Sequence, residues 1–169
     1  MNINTTYTKI ITDEDLMETV QHGSNLYPFQ FYYENLSVFD FNCVEWHWHT
    51  ELEFIESGTV TLWIGEDQFN LTEGNGIFIN TKVIHRLYSP SKALIPNFVF
   101  MPSFIAPCDS LIYQKYILPI ISYPLPFLIF HKEVYWQAKV LSIMRQIISA
   151  QDSVSSKELL TSSLLQNLW

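Results

Sequence analysis

The 169-residue chain reads as mainly β: a sandwich or barrel of short strands followed by a pair of antiparallel helices. Three observations lead there. Turn residues recur about every ten positions between short apolar or alternating runs, at Ser57-Gly58, Gly65-Glu66-Asp67 and Gly74-Asn75-Gly76, the spacing of an all-β domain. Beyond Pro102 the pattern changes to a helical period, with Val134, Ala138, Leu141, Met144 and Ile148 on one stripe. Hydrophobic residues make up 48% of the chain, enough for one domain that buries roughly 70% of the surface its unfolded chain exposes.

In order, the first element is a short helix after Thr12, where Asp13, Glu14 and Asp15 suit the positive end of a helix dipole and Gly23 stops it. Residues 27–33 and 36–41 follow as strands, aromatic and then alternating. A long strand over 44–56 turns at Ser57-Gly58 into 59–64, and Gly65-Glu66-Asp67 turns that into 68–71. Strands at 77–79, 84–88 and 94–101 complete about eight. A short helix from Cys108-Asp109-Ser110 reaches Tyr116, and a run broken by Pro119, Pro124 and Pro126 is extended or irregular up to Phe130. The helix over 133–150 is followed by a second, opened by a capping box at Ser155-Ser156-Lys157-Glu158 and seamed by Leu160, Leu164 and Leu168. Only a few residues separate the two, so they are expected to lie antiparallel.

The charge balance excludes several functions. With 9 basic residues against 17 acidic ones, this segment by itself is not expected to hold a phosphate backbone. Cys43 and Cys108 stand far apart in no ligand spacing and read as reduced thiols of a cytoplasmic protein. The opening Met-Asn-Ile-Asn-Thr-Thr has neither a basic n-region nor an apolar h-region, so a signal peptide is not expected. The most apolar run, 117–130, is too short to span a bilayer, so no membrane association is expected.

Chemistry gathers in residues 47–85. Read as a strand, His47-Trp48-His49-Thr50-Glu51-Leu52-Glu53-Phe54 places His47, His49, Glu51 and Glu53 on one face and Trp48, Leu52 and Phe54 on the other. A helix would instead turn the two histidines about 200° apart. His85 arrives from a later strand. His47, His49, Glu53 and His85 could together hold a divalent transition metal such as Zn, Ni, Mn or Fe, or could hydrogen-bond one another and water in a polar pocket that needs no cofactor. Glu51 is a spare carboxylate, expected at a strand end in water. Tyr33, Trp63 and Phe78 are candidate linings of an apolar ligand pocket, with core packing as their other fate. Arg86 could grip a carboxylate, or sit on the surface. No phosphate loop, zinc cysteine pair or nucleophile beside a histidine stands out.

At these residues the chain resembles a cupin, the double-stranded β-helix or jelly-roll barrel. His47, His49 and Glu53 match the family's first motif; Gly74 and His85 match the second in spacing, with Asn80 and Lys82 where a proline and a glycine usually stand. A narrower resemblance covers the whole chain. His22-Gly23-Ser24, Tyr27-Pro28-Phe29, residues 46–53, residues 71–80 and Ile84-His85 are similar to the N-terminal sensing domain of AraC-family transcription regulators. That resemblance implies an arm and barrel over 1–102 and a linker with helical dimerisation segment over 103–169. It further implies a small-molecule effector, of sugar type, against His47, His49, Glu53 and His85, and a homodimer through the C-terminal helices. DNA would be bound only by a helix-turn-helix domain following Trp169. The cupin motifs also leave a metal-dependent enzyme, a dioxygenase or isomerase using the same four residues, as the alternative.

Overall fold

Side-chain alternation along the strands builds two apolar layers, one on each face of a single large sheet. In a computed structural model, residues 11–36 and 46–169 are described. The strands are β1 (Phe29–Leu36), β2 (Thr50–Phe54), β3 (Thr59–Ile64), β4 (Asp67–Thr72), β5 (Gly76–Ile79), β6 (His85–Tyr88), β7 (Ala93–Phe100) and β8 (Phe127–Phe130). They pair antiparallel into a five-stranded sheet, β1-β7-β2-β5-β8, and a three-stranded sheet, β4-β3-β6. Helices α1 (Leu118–Ser122), α2 (Tyr135–Ala150) and α3 (Lys157–Leu168) follow, α1 preceded by a π-helical stretch, Tyr113–Ile117.

Between the sheets lies an aliphatic layer of Ile55, Val60, Leu62, Leu71, Ile77, Ile79 and Ile95, all buried. The opposite face of the five-stranded sheet is phenylalanine-rich: Phe29, Phe54, Phe78, Phe98 and Phe100 pack with Leu141, Met144 and Ile147 of α2 and Leu165 of α3. Gly76 lets α2 approach the sheet this closely. A Cβ there would stand 2.8 Å from the Glu53 carbonyl oxygen and 2.9 Å from Leu141 Cδ2.

The strands beyond Gly58 follow the sequence reading closely, and four segments correct it. The expected helix after Thr12 is a turn. The Asp13 carboxylate accepts hydrogen bonds from the backbone N–H groups of Asp15 and Met17, both 2.9 Å, and Leu16 adopts a φ of 65°. An aspartate side chain competes with the helix for those N–H groups, and the arm then bridges to Trp46 through Met17. The long strand begins only at Thr50: His47 Nδ1 donates to the His49 carbonyl at 3.1 Å and the His47 carbonyl accepts from Lys82 N–H at 2.8 Å, which bends the chain before β2. The proline-broken run is helical over α1, with Pro119 in the first turn where no N–H is needed. It then adds β8 to the edge of the large sheet.

At α3 the capping box does not form: Ser156 is the N-cap without a side-chain cap bond, its hydroxyl lying 3.1 Å from that of Ser153. Thr161 and Leu165, rather than Leu160, are the buried positions of this helix. The expected strand positions 37–41, Cys43 and residues 44–45 lie outside the described residues. Among the described residues no helix is long and apolar enough to cross a membrane.

Candidate functional site

The bend before β2 and the start of β6 bring His47, Glu51 and His85 together at one end of the barrel. All three are buried. Glu51 Oε2 lies 3.2 Å from His47 Nε2 and 3.3 Å from His85 Nε2, so one carboxylate oxygen joins two imidazoles. The rings stand edge to face, with centroids 5.4 Å apart. The far nitrogens are fixed by backbone: His47 Nδ1 donates to the His49 carbonyl and His85 Nδ1 to the Val83 carbonyl at 2.9 Å. A carbonyl only accepts, so both Nδ1 atoms carry protons and both Nε2 atoms face Glu51. Burial opposes ionisation of Glu51, but hydrogen bonds from His47 and His85 and their charge overcome it and hold the carboxyl below the usual carboxylate range.

The arm adds a second layer. His22, buried, lies 2.7 Å from Glu18 Oε2 through Nε2 and 2.8 Å from the Tyr32 hydroxyl through Nδ1. Its ring meets those of His49 at 4.8 Å and His47 at 5.8 Å between centroids. Four histidines therefore form one contiguous group, tied to the arm. Within it, burial first and the charges of His22 and His47 next push the His49 imidazole down to about 4.

The structure redistributes the residues expected at this site. His47 and His85 are central. Glu51, expected in water, replaces Glu53 as the carboxylate between them: among the described residues, the group able to offer ligand atoms within 4.8 Å of one another is His47, Glu51 and His85. His49 packs on His22 beside that group. Glu53 shares the inward face of β2 with Glu51 but lies deeper, fully buried and opposite Ile77 and Asn97. The two-residue shift follows from the bend at His47, which breaks the period-two phase.

None of the three aromatics lines this group. Phe78 faces the helices and meets Trp169, with ring centroids 6.1 Å apart. Trp63 lies on the outside of the smaller sheet, beneath Arg86, whose guanidinium carbon stands 5.1 Å above its ring. Tyr33 turns to the helix side of β1 and donates to Glu56. The neighbouring Tyr32 faces inward, a residue that the sequence reading passed over because nothing but strand phase separates the two tyrosines. His22 was equally hidden, having no spacing relationship to residues 47–85.

Comparison with known proteins agrees with this geometry. The model of the AraC-like ligand binding domain family matches residues 32–169. The regulator YdeC of Bacillus subtilis, of HTH type and uncharacterised, is 24% identical over 143 residues, covering 81% of this chain and 48% of YdeC. Structures of ToxT from Vibrio cholerae share the fold. One covers 83% of this chain and 54% of ToxT at a TM-score of 0.56 and 17% identity. Another, bound to an unsaturated fatty acid, covers 82% and 52% at a TM-score of 0.55 and 13% identity. The chain thus spans about half the length of these relatives.

Proposed function

We propose, for a chain that belongs to the family of AraC-like ligand-binding domains, that the polar group at the end of its barrel senses a small-molecule effector. The observation that carries this is the continuity of the site with the arm: Glu51, His47, His49 and His22 connect the barrel interior to Glu18 and Tyr32. An effector that prefers one arrangement of these groups shifts the population of arm positions. In the whole protein, a helix-turn-helix domain beyond this segment binds DNA and reads that shift, and α2 and α3 join two copies through faces that include the exposed Tyr135, Trp136 and Leu159. The role is sensing rather than catalysis. A sugar or sugar derivative fits a buried group that both donates and accepts hydrogen bonds. Isothermal titration against a carbohydrate panel tests this, with His49→Ala as control. Binding lost in the variant supports the site, and binding unchanged moves it elsewhere.

A second reading has a specific observation behind it. With both Nδ1 protons given to carbonyls, each Nε2 can meet the Glu51 carboxylate either with a second proton, as an imidazolium that donates to it, or with a bound cation in that proton's place. A divalent transition metal held by His47, Glu51 and His85 supplies that cation, as two imidazoles and one carboxylate suit Zn, Fe, Mn or Ni. It would tie β2 to β6 and could polarise a bound oxygen ligand. Stoichiometric metal by elemental analysis, absent from Glu51→Gln, supports it; metal-free protein with an intact fold overturns it.

A further inference from the structure

We infer that the outer edge of β8 is an interface whose partner is β8 of a second copy of this chain, paired antiparallel about a two-fold axis at Leu128. This rests on the reading above that the chain acts as a pair, and it adds the edge of the large sheet to the helical contact. β8 ends that sheet, with β5 on one side and no described strand on the other. The hydrogen bond from the Asn80 N–H to the Pro126 carbonyl, 2.8 Å, fixes which groups point where. Bonded pairs alternate along an antiparallel ladder, so Pro126, Leu128 and Phe130 address β5, and Phe127 and Ile129 turn their N–H and C=O groups outward. Those outward groups meet no hydrogen-bond partner among the described residues. The outward N–H groups on either side are satisfied: Leu125 donates to the Tyr123 carbonyl at 2.7 Å, and His131 to Gln137 Oε1 at 2.8 Å. The open edge is therefore confined to Phe127 and Ile129.

The side chains say what this edge accepts. β4, at the edge of the smaller sheet, exposes Asp67, Gln68 and Asn70, polar cover of the kind that discourages pairing with another chain. β8 reads Phe-Leu-Ile-Phe and carries no such residue. It closes a run, residues 116–130, without Asp, Glu, Lys or Arg, in a chain of 9 basic and 17 acidic residues. Two copies that each carry a net charge of −8 repel one another, so they approach closely only through a face free of charge, which this run supplies. The edge is also complementary to itself. With Leu128 opposite its own counterpart, Phe127 of each copy stands opposite Ile129 of the other, and every outward N–H meets an outward C=O. The 4-residue edge alone buries less than the roughly 1,200 Å² of a stable interface. The antiparallel course adds to it, because residues 123–126 of one copy run toward residues 130–133 of the other. That brings Tyr123, 66% exposed, toward Trp136, which is 52% exposed and in ring contact with Phe130.

Sedimentation velocity and disulfide trapping test this. The parent chain should be dimeric. Leu128→Cys, in a background of Cys43→Ser and Cys108→Ser, should form a covalent dimer under mild oxidant, since facing residues of a non-bonded antiparallel pair bring their Cβ atoms to about 4.5 Å. Leu26→Cys in the same background, 97% exposed in the arm turn, should remain uncross-linked. Leu128→Lys sets two ammonium groups opposite each other and should weaken the dimer about tenfold or more. Ile129→Pro removes an outward N–H without touching the β5 ladder and should act in the same direction. If either of these two variants fails to fold, by circular dichroism, the cysteine variants decide alone. A parent dimer that Leu128→Cys does not trap would overturn the edge pairing and leave the contact to the helices. A parent that stays monomeric would overturn the edge pairing together with the reading of a pair.

Discussion

The two faces of the five-stranded sheet are built from the same strands and do opposite things. The helix side carries Phe29, Phe54, Phe78, Phe98 and Phe100 and no charged side chain in its buried cluster. The barrel side carries isoleucine and valine around Glu51, Glu53 and Asn97. Period-two alternation permits this segregation, because each strand contributes every other residue to each face. The difference teaches where to look for effects. Substitutions on the helix side should cost stability and leave ligand responses alone, whereas those on the barrel side should change responses more than stability.

The largest expected effect lies on the helix side. Phe98 is fully buried and stacks between Phe29 and Phe100, at centroid distances of 5.8 and 6.5 Å. Phe98→Ala should destabilise by about 3–5 kcal/mol, the usual cost of an aromatic cavity, measured by urea unfolding. Gly76→Ala should also be severe, since its Cβ would meet backbone at 2.8 Å as well as a leucine methyl. If either variant kept its stability and lost effector response instead, the division between the faces would be wrong.

How much of this was legible follows from the same geometry. Strand existence was readable wherever glycine-marked turns bound short apolar runs, so β3 falls on the expected residues and β4 to β7 within one or two. The site was readable in its histidines but not in its carboxylate. Glu51 and Glu53 are in phase on β2, and choosing between them requires the bend at His47, which depends on the distant Lys82 N–H. Tyr32 and Tyr33 fail for the same reason: adjacent residues differ only in which face they take, and a one-residue error in phase exchanges them. The arm was misread because local acidic residues suit a helix start, while the actual partners of Met17 and Glu18 lie at Trp46, almost thirty residues away.

Next in size are the barrel-side variants. Glu51→Leu leaves the His47 and His85 Nε2 atoms without their shared acceptor and should cost about 1–3 kcal/mol while abolishing the response to effector, read by calorimetry. Acid should act on the same region. The His49 imidazole, ordinarily near 6.5, titrates near 4 in the folded chain, so the unfolded chain binds more protons between those values. Stability from this group is complete above pH 6.5 and is lost progressively as pH falls toward 4. His49→Asn should flatten that part of the stability profile. A profile identical to that of the parent would show that His49 is more open to water than its contact with His22 implies.

The smallest effect gives the sharpest comparison, because it uses two neighbours on one strand. Tyr33 donates to Glu56 on the helix side, where burial first and the glutamate second push its phenol up to about 12. Tyr33→Phe removes one hydrogen bond and should cost about 0.5–1.5 kcal/mol, with no change in effector response. Ultraviolet titration should show one late-ionising tyrosine fewer in the variant than in the parent, in which Tyr27 and Tyr113 are also raised. Since a raised phenol pKa favours the folded chain only while the group stays protonated, the parent should lose this advantage between pH 10 and 12. Tyr32→Phe costs a similar hydrogen bond, here to His22, yet it should loosen the arm, seen as faster hydrogen exchange over residues 16–22. Matching behaviour of the two variants would mean that strand phase does not decide which face senses ligand. Opposite behaviour would place the boundary between core and sensor at the single peptide bond joining them.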